Sequence, residues 1–287
     1  MDYLSFWNLK ERAFDDLRNP RFYFESEDHL EALERLSFLC HNKAMNLGLL
    51  TGEIGCGKTI TRTVLEARLE LNEFAVVSLP NSNFTFPDLL FQIISQIKLR
   101  QIDFSNPLPV SSDMRQDKFA LVQHFQSLLE ILHGQEQRHL VIIFDEAQQI
   151  ETPVLEEIKN LTNINTPNTN YLTIILVGQP ELREQISRLK QIDQRIALRF
   201  HLNTLDLRNT GRYIRHRLQI AGSVQPNIFT QEALEHIFQY TQGIPREINR
   251  MAKLSMEMGV STGKMELGPE IVKVIIQDLQ EQRGESA

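Results

Sequence analysis

A glycine-rich run, set between an apolar stretch and a helical pattern, constrains this chain more than any other feature. Leu47-Gly48-Leu49-Leu50-Thr51 reads as a buried strand, and Gly52-Glu53-Ile54-Gly55-Cys56-Gly57-Lys58-Thr59 follows it directly. Gly52-x-x-x-x-Gly57-Lys58-Thr59 has the spelling of a phosphate-binding P-loop (Walker A), with the strand before and the helix after that the motif requires. Glycines let the backbone curl so that successive N–H groups point at phosphate oxygens. Gly52, Glu53, Ile54, Gly55, Cys56, Gly57, Lys58, Thr59 and Ile60 are therefore the expected nucleotide-binding residues, with ATP as the ligand. Lys58 can reach the β- and γ-phosphates, and Thr59 can offer its hydroxyl to Mg²⁺. The helix beginning near Lys58 turns its positive dipole end toward the same anion. Cys56, among backbone amides at a helix start, is expected to have a lowered thiol pKa, so that alkylation blocks nucleotide uptake.

With 287 residues, 41% of them hydrophobic and 23% charged, the chain has the composition of an ordinary globular protein of one or two domains. A net charge of −7 argues against nucleic-acid binding over the whole surface, though a local basic patch stays open. Two cysteines are too few for a disulfide framework or a zinc cluster, and the eight histidines are scattered. No stretch reaches transmembrane length, and the N-terminus lacks a signal-peptide pattern. A cytoplasmic protein with no direct membrane insertion is expected.

Along the chain, apolar β-type runs at about 47–51, 74–79, 140–144, 171–177 and 197–202 alternate with helical patterns. Continuous apolar runs of this kind suit parallel strands buried on both faces. Ser26 is placed to cap a helix over 27–41, and Thr152-Pro153 to open another. After about Leu205 no β-type run appears, and helices are expected at about 207–221, 230–241, 246–259 and 270–281. The expected organisation is an N-terminal segment, 1–45, packed on the core; an α/β nucleotide-binding domain, 46–205; and a helical lid, 206–287. Tyr3, Phe6, Trp7, Phe14, Phe22, Tyr23 and Phe24 lie in the first segment, as core packing or as an apolar wall for an adenine ring.

Four further signals bear on chemistry. Val141-Ile142-Ile143-Phe144-Asp145-Glu146 is a strand closing on two acids, the Walker B pattern. Asp145 would hold Mg²⁺, and Glu146 would polarise the water attacking the γ-phosphate. Gln179 follows the strand ending at Val177, where a side chain that both donates and accepts can touch phosphate and water. Asp193-Gln194-Arg195-Ile196-Ala197-Leu198-Arg199 offers an arginine finger to a neighbouring copy; Arg195 is preferred, and Arg199 suits a structural salt bridge. Gly243-Ile244-Pro245-Arg246 starts a lid helix, so Arg246 can contact the γ-phosphate from that side. Arg208, Arg212, Arg215, His216 and Arg217 form a basic stretch, read as a solvated face or partner surface, with DNA contact as the minority reading.

These motifs occur together in AAA+ ATPases. Leu9-Lys10-Glu11-x-x-Phe14, Pro20-Arg21-Phe22, Gly52-Glu53-x-Gly55, Asp145-Glu146-Ala147-Gln148, Gly178-Gln179-Pro180-Glu181-Leu182, Gln194-Arg195-Ile196 and Gly243-Ile244-Pro245-Arg246-x-Ile248-Asn249 resemble the ExeA/GspA group, which includes the pilus-biogenesis protein MshM. The resemblance implies a P-loop three-layer α/β sandwich with a parallel sheet (AAA+) and a C-terminal all-helical lid. It implies Gln179 as sensor 1, Arg195 as the finger, Arg246 as sensor 2 and, at Asn81, a polar switch residue. It further implies ATP hydrolysis coupled to a homo-oligomeric ring or filament, and a role in assembling a secretion or pilus apparatus with an inner-membrane partner. Ala13 stands where that group usually has proline. Longer ExeA-type proteins carry a transmembrane helix and a periplasmic peptidoglycan-binding domain, and neither is expected here. Relatives of the TniB and MuB type regulate transposition on DNA, which is the alternative role; a nucleotide-gated scaffold with little turnover is a third.

Overall fold

The computed structural model describes residues 2–15, 19–80, 84–100, 117–166 and 169–282. Asn81 and most of the loop-like stretch 100–116 lie outside these.

The central sheet contains β1 (Leu47–Gly52), β2 (Phe74–Leu79), β3 (His139–Phe144), β6 (Leu172–Gly178) and β7 (Leu198–Leu202), in the spatial order β2-β3-β6-β1-β7. A pair of short antiparallel strands, β4 (Asn165–Thr166) and β5 (Thr169–Asn170), precedes β6 and has no counterpart in the apolar pattern. β2, β3, β6 and β1 pair in parallel, and every residue of β1, β3 and β6 is buried. That burial on both faces is why these strands read as unbroken apolar runs. Phe144 pairs with Leu176 and Thr51 with Gly178, so the strands end along one edge of the sheet. The chain passes from β1 across β6 and β3 to β2 and only later places β7 on the other side of β1. The order reverses beside β1, the topology in which open α/β sheets bind ligands.

One compact unit comprises residues 31–52 and 64–201. Its core joins β1, β2, β3 and β6 to α4 (Phe86–Arg100), α5 (Lys118–Gly134), α6 (Thr152–Leu161) and α7 (Pro180–Arg188). On the other face, a Cβ on Gly48 would meet Leu39 Cδ2 at 2.4 Å, which shows how closely α2 (Glu27–His41) lies on β1. The helix α6 takes Glu151 as its cap, one residue before the expected Thr152, and Pro153 sits in the first turn where its missing N–H is not needed.

The second unit comprises residues 1–30, 53–63 and 202–287. Helices α9 (Leu207–Ile220), α10 (Gln231–Thr241), α11 (Pro245–Thr262) and α12 (Pro269–Gln282) share one apolar cluster with Tyr3, Trp7, Leu9, Phe14 and Phe22. Trp7, which ends the short helix α1 (Tyr3–Trp7), donates from Nε1 to the Met256 carbonyl at 3.1 Å. Tyr3, Trp7, Phe14 and Phe22 thus pack on the helical bundle. The bundle needs their area because four short amphipathic helices alone leave apolar stripes uncovered.

The basic stretch on α9 also divides. Arg217 is 2% exposed, donates from Nε to the Ala13 carbonyl at 2.6 Å and lies over the Phe22 ring at 4.7 Å. Arg212 pairs with Glu27 at 3.1 Å, and His216 is half-buried. Arg208 and Arg215, seven residues apart, share one helix face; Arg217, two further on, points nearly opposite.

His139 supplies a pH prediction. It is 2% exposed, and its Nε2 lies 2.8 Å from Thr173 Oγ1. Burial, then the charges of Lys43 and His133, push its pKa down from 6.5 to about 4. The unfolded chain therefore binds the extra proton first as pH falls. Stability is full above pH 6.5 and declines toward pH 4, by a total of about 3 kcal/mol from this group. Burial lowers His29 and His216 in the same direction. Urea unfolding between pH 4 and 7 should show this slope, and His139→Gln should flatten part of it; an unchanged slope would exclude His139 as a contributor.

Candidate functional site

The phosphate-loop sequence leaves the end of β1 at Gly52 and runs into α3 (Lys58–Arg68). Gly55 has φ +84° and Gly57 φ +108°, conformations that side chains rarely adopt. Both glycines are also needed for space. A Cβ on Gly55 would stand 2.8 Å from Arg246 Cβ, and one on Gly57 2.7 Å from His29 Nε2. Lys58 is 6% exposed, and its Nζ donates to the Glu53 carbonyl at 2.9 Å. Thr59 and Ile60 follow in the first turn of α3, partly buried, while Glu53 and Ile54 are exposed.

Carbonyls of this loop are taken from outside it. The Arg246 backbone N–H donates to the Gly55 carbonyl at 3.3 Å, at the start of α11. The Arg246 side chain is exposed. Its position is set by Gly243, whose φ is +72° and whose carbonyl accepts from Leu205 N at 2.9 Å. A Cβ there would lie 1.7 Å from the Leu205 carbonyl oxygen, so this turn admits only glycine. On the other side His29 Nε2 lies 3.0 Å from the Cys56 carbonyl oxygen.

Cys56 departs from expectation. Its side chain is fully buried, and burial raises the thiol pKa although Lys58 and nearby backbone N–H groups pull the other way. The thiol faces inward to protein, so desolvation outweighs the helix terminus. Alkylation of the folded protein is not expected to be selective here.

The second group of predicted residues gathers at the ends of β3 and β6. Asp145 is 3% exposed, and its Oδ1 accepts from the Glu146 backbone N–H at 3.0 Å. Glu146 itself has φ 52°, a left-handed conformation uncommon for a residue with a side chain. Its Oε2 accepts from Gln148 Nε2 at 2.7 Å and from Gln179 Nε2 at 3.2 Å. Gln148 Oε1 in turn accepts from the Gln179 backbone N–H at 3.1 Å. A Cβ on Gly178 would fall 2.7 Å from that same Oε1, so the glycine makes room for the bridge. Glu146 and Gln179 are thus bonded to each other, with Gln148 as a third member. Gln148 was visible only as one letter of Asp-Glu-Ala-Gln; its amide bridging two strand ends has no sequence periodicity.

Arg195 is exposed, just past α8 (Lys190–Asp193). Arg199, on β7, donates to Asp193 Oδ1 at 2.8 Å and to the Asp193 carbonyl. The two arginines therefore differ: one is held by the chain's own acid, and the other stands in solvent. Among the described residues no three His, Cys, Asp or Glu gather as a metal site, and no helix is long and apolar enough to cross a membrane. The loop with two positive-φ glycines and an adjoining lysine fits a polyphosphate. Thr59 offers a hydroxyl and Asp145 a carboxylate, donor types that Mg²⁺ takes.

Comparison with known proteins gives three findings. A family model described as an AAA domain matches residues 41–186. The "General secretion pathway protein A" of Aeromonas hydrophila is 36% identical over 250 residues. That match takes in 86% of this chain but 43% of that protein, so the chain spans less than half of its relative's length. Among solved structures, the Aeropyrum pernix ORC2 protein in its ADPNP-ADP complexes has a TM-score of 0.67 at 18% identity, covering 94% of this chain and 71% of that one. CDC6P from Pyrobaculum aerophilum has a TM-score of 0.57 at 16% identity, covering 88% and 68%. These two likenesses speak for the fold.

Proposed function

The chain belongs to the AAA domain family, and from that premise we propose that it is an ATPase of the ExeA/GspA type that uses ATP binding and hydrolysis to drive assembly of a secretion apparatus. The observation that carries this reading is the identity with a secretion-pathway protein along 86% of the chain. The polar cluster at the strand ends and the positive-φ glycines of the loop support the chemistry.

In this mechanism the loop amides and Lys58 hold the triphosphate. Thr59 and Asp145 would hold Mg²⁺, which would neutralise charge on the phosphate oxygens. Glu146 takes a proton from the attacking water, and Gln179 orients that water and registers the γ-phosphate. Arg246 meets the phosphate from the helical region. Arg195 serves the site of an adjoining copy, so turnover belongs to a ring or filament. The chain works in the cytoplasm, its task at the inner membrane reached through a protein partner.

Arg195→Ala is expected to lower ATP turnover on the order of 10³-fold while leaving ATP uptake unchanged. Mixing it with Lys58→Ala subunits should restore part of the turnover, because each supplies what the other lacks. Full turnover by Arg195→Ala alone would remove the finger assignment. ATP-dependent capture of an inner-membrane protein from solubilised membranes, without salt-sensitive binding to duplex DNA, is the result expected of the secretion role. DNA binding without such capture would favour a transposition regulator instead.

A further inference from the structure

We infer that His29 is a positioning residue of the phosphate-binding loop: by taking the Cys56 carbonyl, it holds the following peptide with the Gly57 N–H turned toward the phosphates. The inference rests on the reading of residues 52–60 as an ATP-binding loop.

His29 lies on α2, far from the loop in sequence, and is 4% exposed. Its two ring nitrogens are each engaged. Nε2 is 3.0 Å from the Cys56 carbonyl oxygen, and Nδ1 is 2.7 Å from Ser26 Oγ. A carbonyl oxygen only accepts, so Nε2 carries the proton. Nδ1 of the neutral ring then accepts from the Ser26 hydroxyl, and burial favours that neutral ring. The residue is fixed in turn from behind. Ser26 Oγ accepts from the His29 backbone N–H at 3.3 Å, and the Tyr23 hydroxyl donates to the His29 carbonyl at 3.1 Å. The edge of the Tyr23–His29 ring pair closes the remaining side, with centroids 5.9 Å apart.

The consequence follows from peptide planarity. In a trans peptide the C=O and the next N–H point to opposite sides. With the Cys56 carbonyl aimed at His29, the Gly57 N–H points away from His29. Left to itself, a glycine-rich loop can flip such a peptide at little cost, and the flipped peptide would present a carbonyl oxygen to an anion. The close approach of ring and loop is matched on both partners, since a side chain at position 57 would strike His29 Nε2. A histidine that merely filled space would not need this donor.

The test compares His29→Phe, which keeps a ring but no donor, with His29→Gln, whose amide N–H can reach the same carbonyl. Binding of Mg²⁺-ATP and Mg²⁺-ADP is measured by calorimetry, turnover by phosphate release, and the melting point without nucleotide. His29→Phe is expected to weaken both nucleotides roughly tenfold and to raise KM with kcat held. His29→Gln is expected to recover most of that loss even if its melting point is no higher than that of His29→Phe. Binding within about twofold of the unsubstituted chain in both variants overturns the inference. So does a Gln variant as weak as the Phe variant, or a fall in kcat with KM unchanged. An unsubstituted chain that takes up no ATP overturns the nucleotide reading and this inference with it, whereas failure of the variants alone leaves that reading standing.

Discussion

Glu146→Gln is expected to slow ATP hydrolysis by roughly 10²- to 10⁴-fold while ATP uptake stays intact. The substitution removes the only basic oxygen pair at that position but preserves shape. The Glu146 Oε2 now accepts two amide donors, from Gln148 at 2.7 Å and Gln179 at 3.2 Å. A glutamine there can rotate its own amide oxygen to the same two donors, so the bridge between β3 and β6 survives. The loss falls on the chemical step alone. Oligomers formed with ATP should then persist, because the state that disassembles is reached through hydrolysis. Phosphate release under saturating ATP, with size measured by light scattering, checks both parts. Turnover equal to that of the unsubstituted chain would refute Glu146 as the base.

Lys58→Ala is expected to weaken ATP binding by roughly 100-fold, since a charge-assisted bond to phosphate contributes about 1.5–3 kcal/mol and here joins a direct charge neutralisation. Lys58 is the first residue of α3, where alanine is well tolerated, and the fold should be retained. Its Nζ donates to the Glu53 carbonyl at 2.9 Å, an exposed-loop carbonyl that water can satisfy in the variant. Calorimetry with Mg²⁺-ATP, alongside circular dichroism, separates lost binding from lost structure. Affinity within twofold of the unsubstituted chain would remove the phosphate-binding role from this loop and everything proposed from it.

The motifs read along the chain share one property: each is local. A glycine-rich loop, an apolar run closing on two acids and a Gly-x-Pro-Arg helix start are written within a few consecutive residues, because their chemistry depends on neighbouring backbone. The parallel sheet was legible for the same reason, as strands buried on both faces leave no polar alternation. The aromatics of the first 25 residues carried no such period. Several have partners far along the chain on the C-terminal helices, as Trp7 with Met256 and Phe24 with Tyr213 show. Arg217 likewise reads as one more surface charge until Ala13, Phe22 and Tyr213 surround it.

The amino-acid order by itself determined the α/β class, the change to an all-helical region near residue 205, and the residues expected at a nucleotide. Backbone propensity and the periodicity of apolar side chains suffice for these. Only the tertiary structure decided that the Cys56 thiol is buried with a raised pKa, that His29 and Arg246 take carbonyls of the loop, and that Gln148 joins Glu146 to Gln179. Each of these depends on desolvation or on a hydrogen bond between segments remote in sequence. Neither is encoded in local spacing; both arise when the packed chain excludes water and leaves each buried polar group a single partner in reach.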